Sequence, residues 1–171
     1  ISRSDNKYDM RREDLRDGNK SNILEIIEDV SIVSFMPITI GGKIKNINDI
    51  ALRLSNGADK VSINTQALDN PLFINEAAKV FGSQCIVVCC DVKKTPNGYR
   101  IFRDYGKLDS GYSLTEWIKI CEGQGAGELL IQSIDRDGTR EGYDIEMLNI
   151  VCKNVKIPVI ALGGVGEWEH L

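Results

Sequence analysis

The stretch Ile131-Gln132-Ser133-Ile134-Asp135-Arg136-Asp137-Gly138-Thr139 is the most informative segment of this chain. It continues an apolar run that starts at Leu129, which predicts a buried strand, and the strand ends abruptly in two carboxylates, a guanidinium and a glycine. In α/β proteins, ligands bind at the carboxyl ends of parallel strands. A strand followed by an ordinary Asp-Gly turn gives the same pattern. The interpretation therefore depends on whether other strands end in the same way.

The composition is that of an ordinary globular domain. The 171 residues include 42% hydrophobic and 27% charged residues, with a net charge of −4. This length is enough for one domain with a substantial core. The basic residues form no stripe, so no nucleic-acid partner is expected. No apolar run reaches the ~20 residues of a membrane span, so we expect no membrane association and a cytoplasmic location.

The five cysteines show no zinc-ligand spacing with one another or with His170, the single histidine. We expect reduced core thiols and no metal site, and nothing in the sequence indicates a cofactor. Cys90 directly precedes Asp91 and is the only thiol expected near a functional site.

Strand and helix patterns alternate along the rest of the chain. Amphipathic helices are predicted after Ser21 and Asn70 and, with a capping box, after Ser113, and Asp144 caps a further one. Residues 1–20 are predicted to be a loop, and residues 99–112 a small hairpin insertion. The strands are continuous apolar runs, at residues 36–40, 60–63, 85–90, 129–134 and 158–161. Continuous runs indicate a parallel sheet covered by helices.

Internal repetition distinguishes between the possible α/β architectures. Residues 57–65 (GADKVSINT) match residues 125–133 (GAGELLIQS) position by position. Residues 36–39 similarly resemble residues 157–160, and each of these segments is followed closely by a Gly-Gly pair. Paired βα units favour a rotationally symmetric (β/α)₈ barrel over an open sheet.

The two glycine pairs, Gly41-Gly42 and Gly163-Gly164, each follow a strand directly. Glycine at this position lets backbone amides approach an anion, and the next helix adds a favourable dipole. A tight strand-to-helix turn is the alternative explanation for either pair alone. Two pairs in matching positions predict two phosphate sites, and Asn64 and Thr65 would add an amide and a hydroxyl to the first.

Three carboxylates lie at or just beyond predicted strand ends: Asp91, Asp135 and Asp137. In a barrel they would converge on one mouth, where paired acids suit general acid–base catalysis. For Asp135, a structural pairing with Arg136 or a loop amide is equally consistent with the sequence. Asp91 follows six apolar or thiol residues and is the stronger catalytic candidate.

Lys60 and Glu128 occupy equivalent repeat positions at the amino ends of their strands. They are expected to form an ion pair at the bottom of the barrel. Residues on that face usually serve stability, unless the barrel interior is used as a passage.

Several strings together resemble the cyclase subunit of imidazole glycerol phosphate synthase, a (β/α)₈ barrel of histidine biosynthesis. The similar segments appear in the family's order and spacing, and the resemblance extends from about Met36 to the end of the chain. They are residues 60–65, 91–93, 133–139, 142–144 and 163–166.

The resemblance implies a function and a partner. In this family, ammonia from a glutaminase subunit crosses the barrel and reacts with a phosphoribulosyl-formimino aminoimidazole carboxamide ribotide, a substrate with two phosphates. Asp91 would then be one of two catalytic aspartates, with Asp135 and Asp137 lining the same mouth. Lys60 and Glu128 would belong to the gate that admits ammonia. The expected phosphate-binding residues are Gly42, Lys43, Asn64, Thr65, Gly138, Gly163 and Gly164.

Two departures from the family pattern matter. The family's first, second and eighth strands have no counterpart, so residues 1–171 are expected to form a single incomplete barrel domain with about five βα units from residue 36 onward. The first glycine turn reads Gly41-Gly42-Lys43, where the family has three glycines.

These departures leave two alternatives open. A paralogue could use ammonia to form an amidino group on a nucleotide-linked sugar of a surface polysaccharide. The segment 81–94 and the hairpin at residues 99–103 look closer to such paralogues. The second alternative is a phosphate-binding barrel without catalysis.

Overall fold

The computed structural model describes residues 23–104 and 106–171. The predicted loop at residues 1–20 and the helix cap at Ser21 lie outside this part of the chain. Six helices are described: α1 (Ile23–Val33), α2 (Ile47–Ser55), α3 (Thr65–Asp69), α4 (Leu72–Phe81), α5 (Leu114–Gly123) and α6 (Ile145–Asn154). The described strands are β1 (Thr39–Gly41), β2 (Lys60–Ile63), β3 (Ile86–Thr95), β4 (Gly98–Arg103), β5 (Leu108–Ser113), β6 (Glu128–Ser133) and β7 (Val159–Leu162).

Within the described residues, all seven strands belong to one sheet. Five of them form a parallel array in the order β1-β2-β3-β6-β7, with β3 at its centre. The other two, β4 and β5, extend β3 as an antiparallel hairpin. The predicted five-strand parallel sheet with a hairpin insertion is therefore confirmed. Every crossover in the array contains a helix, as parallel pairing requires.

One face of this sheet packs against the helices. Alternate residues of β3, such as Ile86, Val88 and Cys90, are fully buried in the hydrophobic core. Helices α2 to α6 contribute to the same core, with Trp117 among its largest members. Because side chains alternate across a strand, Val87, Cys89 and Asp91 lie on the opposite face, which we call the inner face.

None of the helices in the part of the chain that the structure describes is long and apolar enough to cross a bilayer.

Two predicted strand boundaries were wrong. The strand predicted at residues 36–40 covers only Thr39–Gly41, because Met36 is largely exposed and Asp59 instead binds the Ile38 amide. The strand predicted to end at residue 90 continues to Thr95. Asp91 therefore lies inside β3, because pairing with the hairpin extends the strand beyond its parallel neighbours.

The helix predictions also need correction in detail. The short helix α3, which begins at Thr65, was not predicted. Helix α4 starts at Leu72, one residue later than expected, although Asn70 still accepts a hydrogen bond from the Leu72 amide. Ser113 caps α5 as predicted, but only its half of the capping box forms.

The cysteines were not all core residues. All five are free thiols, but Cys152 is exposed on α6. Cys90 was expected near the site, yet it faces the helices, where its hydrogen bond to Cys121 and its burial raise its pKa. Cys89 is the thiol on the inner face, with its Sγ 3.8 Å from Asp91 Oδ1. Successive side chains of a strand point to opposite faces, so Cys89 and not Cys90 lies on the same face as Asp91.

Candidate functional site

The centre of the candidate site is Asp91 on the middle strand of the parallel array. Its side chain is buried, with 5% of the residue exposed. In the strand register it lies beside Gln132 of β6, which in turn lies beside Leu162 of β7. All three belong to the uppermost inner-face row of the parallel strands. The central strand therefore places a buried carboxylate at the carboxyl edge of the parallel array.

Gln132 lies beside Asp91 in the strand register and binds a second acid, although it was not predicted from the sequence. Gln132 is 3% exposed, and its Nε2 donates to Asp137 Oδ2 at 3.1 Å. The Asp137 amide donates to the Ser133 carbonyl, which closes the turn after β6. The internal repeat could have identified Gln132, because it occupies the position equivalent to Asn64, which was predicted as a site residue. Asp137 thus reaches the strand end next to Asp91 through Gln132.

Asp135 binds a backbone amide, which is one of the structural roles that the sequence left open for it. Its Oδ2 accepts a hydrogen bond from the Lys94 amide at 2.8 Å. This bond joins the loop after β6 to the start of the hairpin. Asp135 is exposed at the rim, unlike the buried Asp91.

The first glycine turn follows β1, at one edge of the parallel array. Gly42 and Lys43 both have positive φ, +95° and +53°. Both residues are exposed. Asn64 follows the neighbouring strand β2, and its Oδ1 is buried without a hydrogen-bond partner among the described residues. An amide without a partner can be rotated to present its NH₂ group as a donor, so Asn64 suits an anion at this turn. Thr65 follows it and is exposed.

The second glycine turn follows β7, at the other edge. Gly163 and Gly164 both have φ of +100°. The Gly164 carbonyl accepts the Gly142 amide at 2.8 Å, and a Cβ on Gly164 would lie 2.1 Å from the Gly142 oxygen. Glycine is required here because two backbones meet. Gly138, with φ of +81°, lies in the same loop as Gly142.

At the amino edge of the sheet, the Lys60 ammonium forms an ion pair with the Glu128 carboxylate. Lys60 begins β2 and Glu128 begins β6, so the pair crosses the inner face of β3. Both side chains are mostly shielded from solvent, with 27% and 18% exposed. The ion pair expected from the repeat is present.

A polar cluster that the sequence did not predict lies between the β4–β5 hairpin and α6. The Tyr99 hydroxyl donates to Asp144 Oδ1 at 2.9 Å, and Lys94 pairs with Glu146 at 2.6 Å. Burial, followed by the Asp144 hydrogen bond, raises the pKa of Tyr99 well above its usual range. The Lys94 hydrogen bond lowers the pKa of Glu146. The cluster lines an open groove of about 620 Å³ that also includes Asp135. These contacts fix the hairpin against the body of the protein.

A buried carboxylate between two glycine turns, at the carboxyl edge of a helix-covered parallel sheet, is typical of proteins of the (β/α)-barrel class. The particular family follows from comparison with known proteins. The chain belongs to the histidine biosynthesis protein family, whose model matches residues 14–171.

Individual relatives agree with this assignment. The chain is 45% identical over 154 residues to the imidazole glycerol phosphate synthase subunit HisF of Metallosphaera sedula, and 48% identical over 154 residues to that of Sulfurisphaera tokodaii. It is 46% identical over 153 residues to the HisF subunit of Clostridium botulinum strain Okra. The alignments cover 90%, 90% and 88% of this chain, but only 61%, 61% and 60% of the relatives. The chain thus spans about three fifths of the length of these relatives.

Proposed function

We propose that this chain carries the ammonia-dependent cyclase function of histidine biosynthesis. It would convert a phosphoribulosyl-formimino aminoimidazole carboxamide ribotide to imidazole glycerol phosphate. One observation carries the proposal: Asp91 lies on the central strand, midway between glycine turns at the two edges of the array. Four inter-strand spacings separate β1 from β7, or about 19 Å measured along the sheet. This arrangement suits a substrate with a phosphate at each end and its reacting atoms in the middle.

The two turns would hold the substrate phosphates. At the first turn, the backbone of Gly42 and Lys43, the Asn64 amide and the Thr65 hydroxyl supply donors, and the Lys43 ammonium supplies charge. At the second turn, Gly163 and Gly164 would let the backbone come close to the anion. Gly138 belongs to the same loop as Gly142, whose amide donates to the Gly164 carbonyl. Holding both ends of the substrate places its centre over Asp91 and lowers the entropic cost of reaction.

Asp91 would then move protons during ring closure and cleavage. Incorporating an ammonia nitrogen and releasing the aminoimidazole carboxamide ribotide both require proton transfers. A buried carboxylate that faces the substrate can accept a proton in one step and return it in the next. Gln132 and Asp137 extend the polar surface beside it.

The ammonia would arrive from the opposite edge of the sheet. The Lys60–Glu128 ion pair lies at the amino edge, below Asp91 on the same inner face. Val87 and Cys89 are the inner-face residues of β3 along this path. From Val87 to Asp91 the strand rises by about 13 Å. The proposal therefore includes a glutaminase subunit that delivers ammonia to the amino edge, and a location in the cytoplasm.

Genetic complementation tests the pathway. A strain that lacks the histidine cyclase should grow without histidine when it expresses the full-length protein. Asp91→Asn should abolish growth and ammonia-fed turnover while leaving the unfolding midpoint near that of the wild type. Asp109→Asn, at a partly exposed aspartate of β5 paired with Arg100, is the matched control and should retain growth. Wild-type-like turnover by Asp91→Asn would exclude its catalytic role.

A second candidate is supported by the first glycine turn. Lys43 adds an exposed cation at a position where a third glycine would be neutral. An additional positive charge favours a substrate richer in phosphate, such as a nucleotide-linked sugar that receives an amidino group from ammonia. Failure of complementation by well-expressed protein, together with ammonia-dependent consumption of a nucleotide-linked sugar, would favour this candidate.

A further inference from the structure

Arg53 is a buried cation that touches the first glycine turn from behind. It lies on α2 with 6% of its surface exposed. Its Nη2 donates to the Gly42 carbonyl oxygen at 2.7 Å, and its Nη1 donates to the Asp49 carbonyl oxygen at 2.7 Å. No carboxylate within residues 23–104 and 106–171 forms an ion pair with it. Burying a guanidinium without a paired carboxylate costs free energy of folding. The position of Arg53 beneath the turn therefore needs a compensating role.

The turn itself has an unusual backbone. Gly42 has φ of +95°, which glycine adopts readily, but Lys43 has φ of +53°. A side chain with Cβ disfavours the left-handed region, and such residues persist where surrounding structure holds them. The Gly42 carbonyl, which belongs to the peptide that leads into Lys43, is the group that Arg53 binds.

This contact determines the direction of the next amide. In a trans peptide the carbonyl and the N–H point in opposite directions. With the Gly42 oxygen directed at Arg53, the Lys43 N–H points away from α2. The amides of Lys43 and Ile44 donate to no other described residue. Successive free amides in a turn form a concavity that binds anions.

The remainder of the loop is also tied to α2. Asp49 accepts hydrogen bonds from the amides of Lys45, at 2.8 Å, and Asn46, at 3.2 Å. The Asp49 amide in turn donates to Asn46 Oδ1. Since Arg53 binds the Asp49 carbonyl as well, one residue links the capped start of α2 to the turn. The turn is therefore held in one conformation before a ligand arrives, which lowers the cost of binding.

We propose that Arg53 is a positioning residue for phosphate binding at the turn Gly41-Gly42-Lys43. It holds the Gly42 carbonyl away from the ligand, directs the Lys43 amide toward it and maintains the left-handed conformation of Lys43. This proposal rests on the phosphate site in the proposed function. It also explains how two glycines and a lysine form this turn.

Titration of the full-length protein with inorganic phosphate, followed by ¹⁵N–¹H spectra, tests the proposal. The amides of Gly42 and Lys43 should shift in the wild type. Arg53→Met should raise the dissociation constant at this turn about tenfold, the effect of one lost charge-assisted contact. The Gly164 amide at the second turn is an internal control and should respond with unchanged affinity. Arg100→Met, which removes an arginine from the hairpin, is the matched control for charge.

Two further variants separate positioning from charge and from folding. Arg53→Lys retains the charge but cannot bridge two carbonyls with a planar fork, so it should not restore affinity. In a Lys43→Gly background the left-handed backbone needs less support, so Arg53→Met should weaken binding by a smaller factor there. This double variant also provides the test if Arg53→Met alone does not fold.

Three results would overturn the proposal. They are full rescue by Arg53→Lys, an equal effect of Arg53→Met in both backgrounds, and the absence of phosphate-dependent shifts at Gly42 and Lys43 in the wild type. Failure of histidine complementation with these shifts intact would instead count against the proposed pathway alone, so the two failures are distinguishable.

Discussion

The Lys60 ammonium and the Glu128 carboxylate form an ion pair across the inner face of the central strand β3. The residues are 68 positions apart in sequence and meet because β2 and β6 flank the same strand. The pair lies at the amino edge of the sheet, two inner-face rows below the row that contains Asp91. An ion pair at this position can contribute to stability, and under the proposed function it would also control the entry of ammonia.

We expect measurable coupling between Lys60 and Glu128. Because both side chains are largely shielded, a double-mutant cycle with Lys60→Met and Glu128→Gln should give a coupling free energy of about 1 kcal/mol in urea unfolding. The exposed pair Lys94–Glu146, with 57% and 64% of the side chains accessible, is the control and should give less than about 0.5 kcal/mol. Equal coupling free energies in the two pairs would show that shielding from solvent does not strengthen the Lys60–Glu128 ion pair.

The Asp135 contact predicts a difference between two substitutions. Asp135→Asn retains an oxygen that can accept the Lys94 amide, whereas Asp135→Ala leaves that amide without its partner. We expect Asp135→Ala to lower the free energy of unfolding by about 1 kcal/mol and Asp135→Asn by less than half as much. Chemical denaturation measures both. The structural explanation fails if the asparagine variant is as unstable as the alanine variant.

Adding a single methyl group at Gly164 should strongly destabilise the protein. A Cβ there would lie 2.1 Å from the Gly142 carbonyl oxygen, at a φ of +100° that disfavours any side chain. Gly164→Ala should cost roughly 3 kcal/mol or more of stability and should weaken phosphate-induced shifts at this turn. Gly123→Ala is the matched control, since its Cβ would meet open space at the end of α5. That variant should be about 0.5 kcal/mol more stable than the wild type.

The Tyr99 phenol predicts a pH dependence of stability. Burial and the Asp144 hydrogen bond raise its pKa in the folded protein above the unfolded value. Above about pH 10 the unfolded phenol loses its proton while the folded one retains it, so stability falls as pH rises. Tyr99→Phe should cost about 1–2 kcal/mol at pH 8, and this cost should shrink between pH 10 and pH 11.

Urea unfolding at pH 8, 10 and 11 measures this change. Tyr112→Phe is the control, because the substitution keeps the ring that packs against Trp117. Its effect should stay below about 0.5 kcal/mol at all three pH values. A cost of Tyr99→Phe that does not vary with pH would contradict the assigned cause.

The elements that repeat in the sequence were predicted best. Continuous apolar runs indicated the five parallel strands, and the match between residues 57–65 and 125–133 placed Lys60 opposite Glu128. Both signals are local, since they depend on the spacing of apolar side chains and on equivalent positions in repeated units. Strand ends were less accurate, because the hairpin that extends β3 beyond Asp91 is a pairing between separate segments.

The parallel βα architecture, the two glycine turns and the carboxylates near the strand ends could all be predicted from the sequence. Which groups touch depends on the folded structure, as in the contacts of Asp135 with Lys94, Gln132 with Asp137, and Arg53 with Gly42. The folded structure also decided that Lys43 takes a left-handed conformation and that Cys89, not Cys90, shares a face with Asp91. The reason is physical. Periodicity specifies which side of an element is buried, whereas individual contacts depend on strand register and on how helices and loops pack across the sheet.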